Sequence, residues 1–108
     1  MNDPIRFYVE LDIDPNQRDN FDLRMQEHAS ATLEGEEGCL AFEIYVNRQD
    51  PNKYLLFEAY ADSKALDIHR FSQQLAKHRG EVDHAILRRT IWSVADEVSE
   101  SEFRGASD

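Results

Sequence analysis

The chain has 108 residues, with 12 Lys and Arg against 22 Asp and Glu, for a formal net charge of −10. One small domain fits that length. The charge argues against a nucleic-acid partner, which needs clustered Lys and Arg to neutralise phosphate, and against attraction to an anionic membrane surface. No apolar run approaches the roughly 20 residues of a spanning helix, and Met1-Asn2-Asp3-Pro4 has no basic or apolar leader region. Cys39 is the single cysteine. No internal disulfide can form, and a reducing, cytoplasmic compartment is expected.

Residues 5–13 alternate, with Phe7, Val9, Leu11 and Ile13 on one face and Arg6, Tyr8, Glu10 and Asp12 on the other. A period of two predicts a strand. Asp14 can then cap a helix, with Pro15 at its first position and Gln17 at the reciprocal capping position. Phe21, Met25, His28, Ala29, Thr32 and Leu33 recur at three- and four-residue spacing, one stripe of an amphipathic helix over about 16–34. Gly35 suits a left-handed terminator.

Cys39 to Val46 predicts a second strand, with Leu40, Phe42, Ile44 and Val46 on one face. The polar run 47–52 makes 39–47 and 53–61 a hairpin. In the third strand, Leu55, Phe57 and Ala59 share one face and Tyr54, Leu56, Glu58 and Tyr60 the other. Both faces are largely apolar, whereas a small sheet with helices on one side should have a polar outer face. Something must cover the second face, and a second copy of the chain is the cheapest candidate. Asp62 or Ser63 caps the next helix, which continues through Leu75, His78 and Val82 with a break expected at Gly80. Residues 86–94 form the last strand. The final 14 residues hold five acidic side chains and one arginine, a frayed acidic tail (95–108) behind a 1–94 domain. The order β-α-β-β-α-β predicts an α+β, ferredoxin-like fold with an antiparallel four-stranded sheet.

Glu37-Gly38-Cys39-Leu40-Ala41-Phe42-Glu43, the run Asp50-Pro51-Asn52 through Tyr60, and Ala61-Asp62-Ser63 through His69 together resemble the signature of the antibiotic biosynthesis monooxygenase family, over roughly residues 5–94. The resemblance implies a homodimeric α+β barrel with a pocket in each subunit between helices and sheet. Activities in that family include cofactor-free oxygenation of quinol-like or polycyclic aromatic substrates, oxidative haem breakdown, and isomerisation of a small phosphorylated dione. Relatives often carry a second histidine five residues after the matched one; here Gln74 occupies that place and Leu75 the following aromatic position.

His69 follows Leu66 by three residues, so it faces inward with the apolar stripe. It suits a proton acceptor at a pocket wall, or equally a structural histidine tying helix to sheet. Glu58 sits mid-strand, where a carboxylate is costly unless paired or beside a cavity. It can orient His69, accept a substrate proton, or pair with Arg88 or Arg89. His28 lies on the inward stripe of the first helix; the resemblance makes it a pointer to the isomerase branch, and it also fits the edge of the stripe. Tyr45, Phe57, Tyr60 and Trp92, with Tyr54, could line a pocket for a flat substrate or serve as core and interface. Cys39 reads as structural. His28, His69, His78 and His84 form no His-x-x-x-His metal pair, the first strand lacks the asparagine of haem-degrading relatives, and four glycines make no phosphate loop. The expectation is a homodimeric, cofactor-independent monooxygenase for a small quinol-like or aromatic molecule. An isomerase or tautomerase of a small phosphorylated dione, or a non-catalytic binding dimer, stands beside it.

Overall fold

A computed structural model describes residues 4–94. The acidic tail therefore lies outside the described residues. Strand β1 (Ile5–Ile13) leads through a 3-10 turn (Pro15–Gln17) into helix α1 (Arg18–Gly35). Strands β2 (Cys39–Val46) and β3 (Lys53–Tyr60) follow, then helices α2 (Ser63–Arg70) and α3 (Gln73–Val82), a second 3-10 turn (Asp83–Ala85) and strand β4 (Ile86–Val94). The four strands pair antiparallel in the order β2-β3-β1-β4. The two β-α-β halves interleave, which is the ferredoxin-like arrangement expected from the element order.

Register decides which residues meet the helices. Val9 pairs with Leu56 and Leu11 with Tyr54, so their side chains share one face. That face buries against Phe21, Met25 and Ala29 of α1, Leu66 of α2 and Val82 of α3. Each such side chain removed from water contributes roughly 1.5–3 kcal/mol before entropy is counted. No helix of the described residues is long and apolar enough to cross a membrane.

Several local details differ from expectation. Asp14 does accept from the Asn16 N–H at 2.9 Å, but the first turn is 3-10 and the α-helix begins at Arg18. Gln17 makes no capping bond; its side chain meets His84 Nε2 at 3.3 Å. Gly35 is not left-handed, since no described glycine has positive φ. Helix α1 ends because Glu36 turns extended while its N–H still bonds Thr32 O. The second helical region breaks at Phe71-Ser72, not at Gly80, which sits inside α3. The Ser72 hydroxyl donates to the last turn of α2 (His69 O, 2.8 Å) and accepts from Leu75 N of α3 (3.0 Å), so one side chain ends one helix and starts the next. In β2, Cys39 opposes Tyr60 but Ala41 opposes Ala59, so Leu40 is the extra residue of a bulge. The bulge puts Leu40 outside while Cys39 and Phe42 both stay buried. At Gly38 an added Cβ would lie 2.4 Å from Ala65 Cβ, so glycine is what lets α2 sit directly on the start of β2.

Among the described residues no helix covers the second sheet face. Tyr8 pairs with Phe57 on one side and Trp92 on the other, and Tyr45 pairs with Leu55. Tyr8, Tyr45 and Trp92 are exposed there, and the Tyr8 and Phe57 rings stand 5.0 Å apart. An aromatic patch across four strands is the double-sided pattern seen in the sequence of β3.

Candidate active site

His69 reaches the site from the end of α2, whose start is fixed by Asp62 Oδ1 accepting from Ala65 N at 2.8 Å. Leu66, one turn earlier, anchors the same helix face in the core. The His69 ring is buried, and its Nδ1 lies 3.0 and 3.2 Å from the two carboxylate oxygens of Glu36. Glu36 stands just beyond the end of α1, at the α1–β2 junction. An ionised carboxylate can only accept, so Nδ1 carries a proton, and in the neutral ring Nε2 presents its lone pair. Nε2 lies 3.9 Å from Glu58 Oε1, too far for a direct hydrogen bond, and both groups reach the same cavity.

Glu58 comes up from the middle of β3. Its Oε1 accepts from the Tyr60 hydroxyl at 2.7 Å. Burial pushes the Glu58 carboxyl above the ordinary carboxylate range, against the opposing pull of Tyr60 and His69. Burial, then the Glu58 charge, pushes the Tyr60 hydroxyl well up, so it stays a donor. Neither arginine of the last strand takes Glu58 as partner: Arg88 faces the other side opposite Asp12, and Arg89 pairs with Asp83 at 3.6 Å.

His28 is not at a stripe edge; it is buried, and its ring stacks on His78 of α3 with centroids 4.0 Å apart and planes 6° from parallel. The His28 ring is 5.6 Å from that of His69 and meets Phe42 edge-on. Nδ1 of both His28 and His78 is buried with no hydrogen-bond partner among the described residues. Burial, then His78 and His69, lowers the His28 pKa to about 3. Burial lowers His78 as well. Two neutral stacked imidazoles therefore join α1 to α3 beside the site.

A cavity of about 270 Å³ lies between helices and sheet. Phe7, Val9 and Leu56 of the sheet and Met25 and Leu66 of the helices give it apolar walls, and His28, His69, His78 and Glu58 all reach it. Its exposed residues include Arg70, Arg79 and Arg89, which mark its mouth.

The structure thus brings His69, Glu58 and His28 to one cavity. Tyr60 lies beneath it, bonded to Glu58, and does not line the wall. Tyr45, Phe57 and Trp92 do not join them: register turns all three to the opposite sheet face, and Trp92 there donates its indole N–H to Glu10 at 2.7 Å. Tyr54 does not line the cavity either; its hydroxyl donates to Asp22 of α1. Cys39 is buried, its thiol pushed up by burial, as fits a structural residue. Gln74, in the place of a second histidine, ties α3 to α1 through Thr32 Oγ1 at 2.9 Å. His78, one turn further on, supplies an imidazole instead. The sequence did not single out Glu36. Its signal was its place two residues before Gly38-Cys39, the acid position of an E-x-G-C pattern.

A family model described as antibiotic biosynthesis monooxygenase matches residues 4–80. Among solved structures, a Bacteroides thetaiotaomicron protein provisionally named as such a monooxygenase is 16% identical with a TM-score of 0.85, over 91% of this chain and 93% of that one. A Caulobacter crescentus protein, also provisionally so named, is 19% identical with a TM-score of 0.83, over 91% and 92% of the two chains. A Mycobacterium tuberculosis protein is 22% identical with a TM-score of 0.80, over 91% and 99%. At these identities the likenesses establish the fold. No curated protein matches the chain.

Proposed function

This chain belongs to the antibiotic biosynthesis monooxygenase family, and from that premise we propose that it is a cofactor-independent monooxygenase acting on a compact quinol-like or aromatic molecule. The observation that carries the reading is the buried Glu36–His69 pair, with the free His69 Nε2 facing Glu58 at the cavity wall. A substrate that can feed electrons to dioxygen once deprotonated needs a base, a dry site and a stabilised anion from the protein. His69 Nε2 takes a proton from the activated carbon, and Glu36 stabilises the imidazolium that forms. The carbanion or enolate gives its electrons to dioxygen and a C–O bond forms. The His69 imidazolium, held between Glu36 and the Glu58 carboxylate, returns that proton to make the hydroperoxide. Loss of the second C–H proton then breaks the O–O bond, so a CH₂ and O₂ become a carbonyl and water, with every electron coming from the substrate.

The aromatic outer face fits a second copy of the chain. Tyr8, Tyr45, Phe57 and Trp92 would form the core of a homodimer of facing sheets, the α+β barrel arrangement. A cytoplasmic location agrees with one buried, unpaired cysteine. His28 beside His69 favours a second reading, an isomerase or tautomerase of a small phosphorylated dione using the same acid–base groups. A non-catalytic binding dimer fits poorly with a cavity left open beside a free Nε2.

The test is oxygen uptake by the full chain over a panel of quinols and anthrone-like compounds, repeated without oxygen. Oxygen-dependent turnover with one oxygen atom in the product is expected. Turnover that persists anaerobically would replace this reading with the isomerase, and no turnover in either atmosphere would favour the binding dimer.

A further inference from the structure

With 22 acidic residues against 12 basic ones, the chain as a whole repels anions. The mouth of the cavity runs against that balance. Arg70 from the end of α2, Arg79 from α3 and Arg89 from β4 converge on it from three separate elements. Among the described residues only two carboxylates, Glu58 and Asp83, line the same cavity. Glu58 belongs to the site in its depth, and Asp83 is 3.6 Å from Arg89. Arg70 has only a long contact, 4.0 Å, with Asp67 of its own helix. Among the described residues Arg79 makes no ion pair. Exposed pairs of this kind contribute roughly 0–1 kcal/mol, so fold stability does not account for three guanidinium groups at one opening.

The cavity is therefore two-ended. One end is apolar and leads to His69 and Glu58; the other is cationic and wet. Guanidinium forks match the paired oxygens of a carboxylate or a phosphate. We propose that the substrate is a compact hydroxy-aromatic or enolisable anion, whose carboxylate or phosphate is held at the mouth by Arg79 and Arg89, with Arg70 beside them, while its reacting end lies against His69. The proposal rests on the cavity being the substrate site. The cationic mouth also serves as an electrostatic entrance in a protein whose net field would otherwise turn such a ligand away.

Binding under nitrogen tests this without oxygenation. Binding of 3-hydroxy-2-naphthoate, 2-naphthyl phosphate and the neutral 2,3-dihydroxynaphthalene to the full chain is measured by calorimetry at low and high salt. At least one anion is expected to bind about tenfold or more tightly than the neutral diol at low salt, the margin of one charge-assisted contact. Which anion wins distinguishes carboxylate from phosphate. The advantage should shrink with salt and vanish in Arg79→Gln/Arg89→Gln, while Arg48→Gln in the hairpin turn changes nothing. Equal binding of anion and diol, or an anion preference untouched by the double variant, overturns the anion subsite and leaves the site beside His69 standing. Failure of all three probes to bind overturns both.

Discussion

Lowering the pH from 7 to 5 protonates a histidine of ordinary pKa, 6.5, but leaves His28 neutral, because burial and then the neighbouring His78 and His69 hold its pKa at about 3. The unfolded chain then binds a proton that the folded chain refuses, so stability falls as pH drops below about 6.5 and the penalty is complete only near the folded pKa. At pH 5 the penalty from this one residue is RT ln(1 + 10^1.5), about 2 kcal/mol, or roughly 30-fold in the folding equilibrium. His78, lowered by burial, adds in the same direction. Glu58 opposes: its raised carboxyl makes the folded chain bind more protons just above the ordinary carboxylate range, so its contribution grows as pH falls. Comparison with His28→Gln separates the terms, since that variant keeps Glu58 and removes the titrating ring. Urea unfolding of both proteins at pH 7 and pH 5, at one fixed protein concentration, should show wild type losing about 2 kcal/mol more than His28→Gln across the interval. Equal losses in the two proteins would refute the stacked, neutral His28–His78 pair.

Other consequences follow from single contacts. Gly38→Ala should destabilise by about 1–3 kcal/mol in chemical denaturation, because the new Cβ falls 2.4 Å from that of Ala65; adding Ala65→Gly should recover part of the loss, and additive effects would contradict the contact. Glu36→Gln keeps a carbonyl acceptor for His69 Nδ1 but removes the charge that stabilises the imidazolium, so kcat should fall by at least about tenfold with KM little changed, and an unaltered kcat would remove Glu36 from the mechanism. Tyr60→Phe deletes the O–H that Glu58 accepts at 2.7 Å. The limb of the kcat–pH profile that reports Glu58 should move to higher pH, since the ionised carboxylate loses its donor. Phe57→Glu places a charge at the centre of the outer aromatic face and should shift sedimentation from dimer to monomer without altering helix content by circular dichroism.

The alternation in β1 and the three- and four-residue spacing in α1 were enough to place the core, because each element has one plainly apolar side: Val9 and Leu11 on one, Phe21 and Met25 on the other. The same logic set His69 inward from Leu66. It failed where an element has no polar side. In β3, alternation shows that Phe57 and Leu55 share a face, but it does not tell which face the helices take. That was decided by the pairing with β1, where Arg6, Glu10 and Asp12 mark the outside. Tyr45 and Trp92 went the same way, so three of the aromatic residues chosen for the pocket lie on the uncovered side of the sheet, while Tyr60 and Tyr54 are buried on the other. Leu40 was misplaced because one bulged residue reverses a two-residue period. The helix break moved from Gly80 to Ser72 because a hydroxyl serving two helix ends outweighs a single glycine's entropic cost. Glu36 and the stacking of His28 on His78 depend on contacts between residues 33 and 50 positions apart, from one element to another, which no local pattern encodes.

The account turns on His69 Nε2 as the group that takes the substrate proton. Oxygen uptake by His69→Gln, against wild type, on whichever substrate the panel identifies, measures that role directly. A fall in kcat of at least about 100-fold, with ligand binding and thermal unfolding close to wild type, is the expected result. A His69→Gln protein that turns over at the wild-type rate would contradict it and move the chemistry away from this cavity wall.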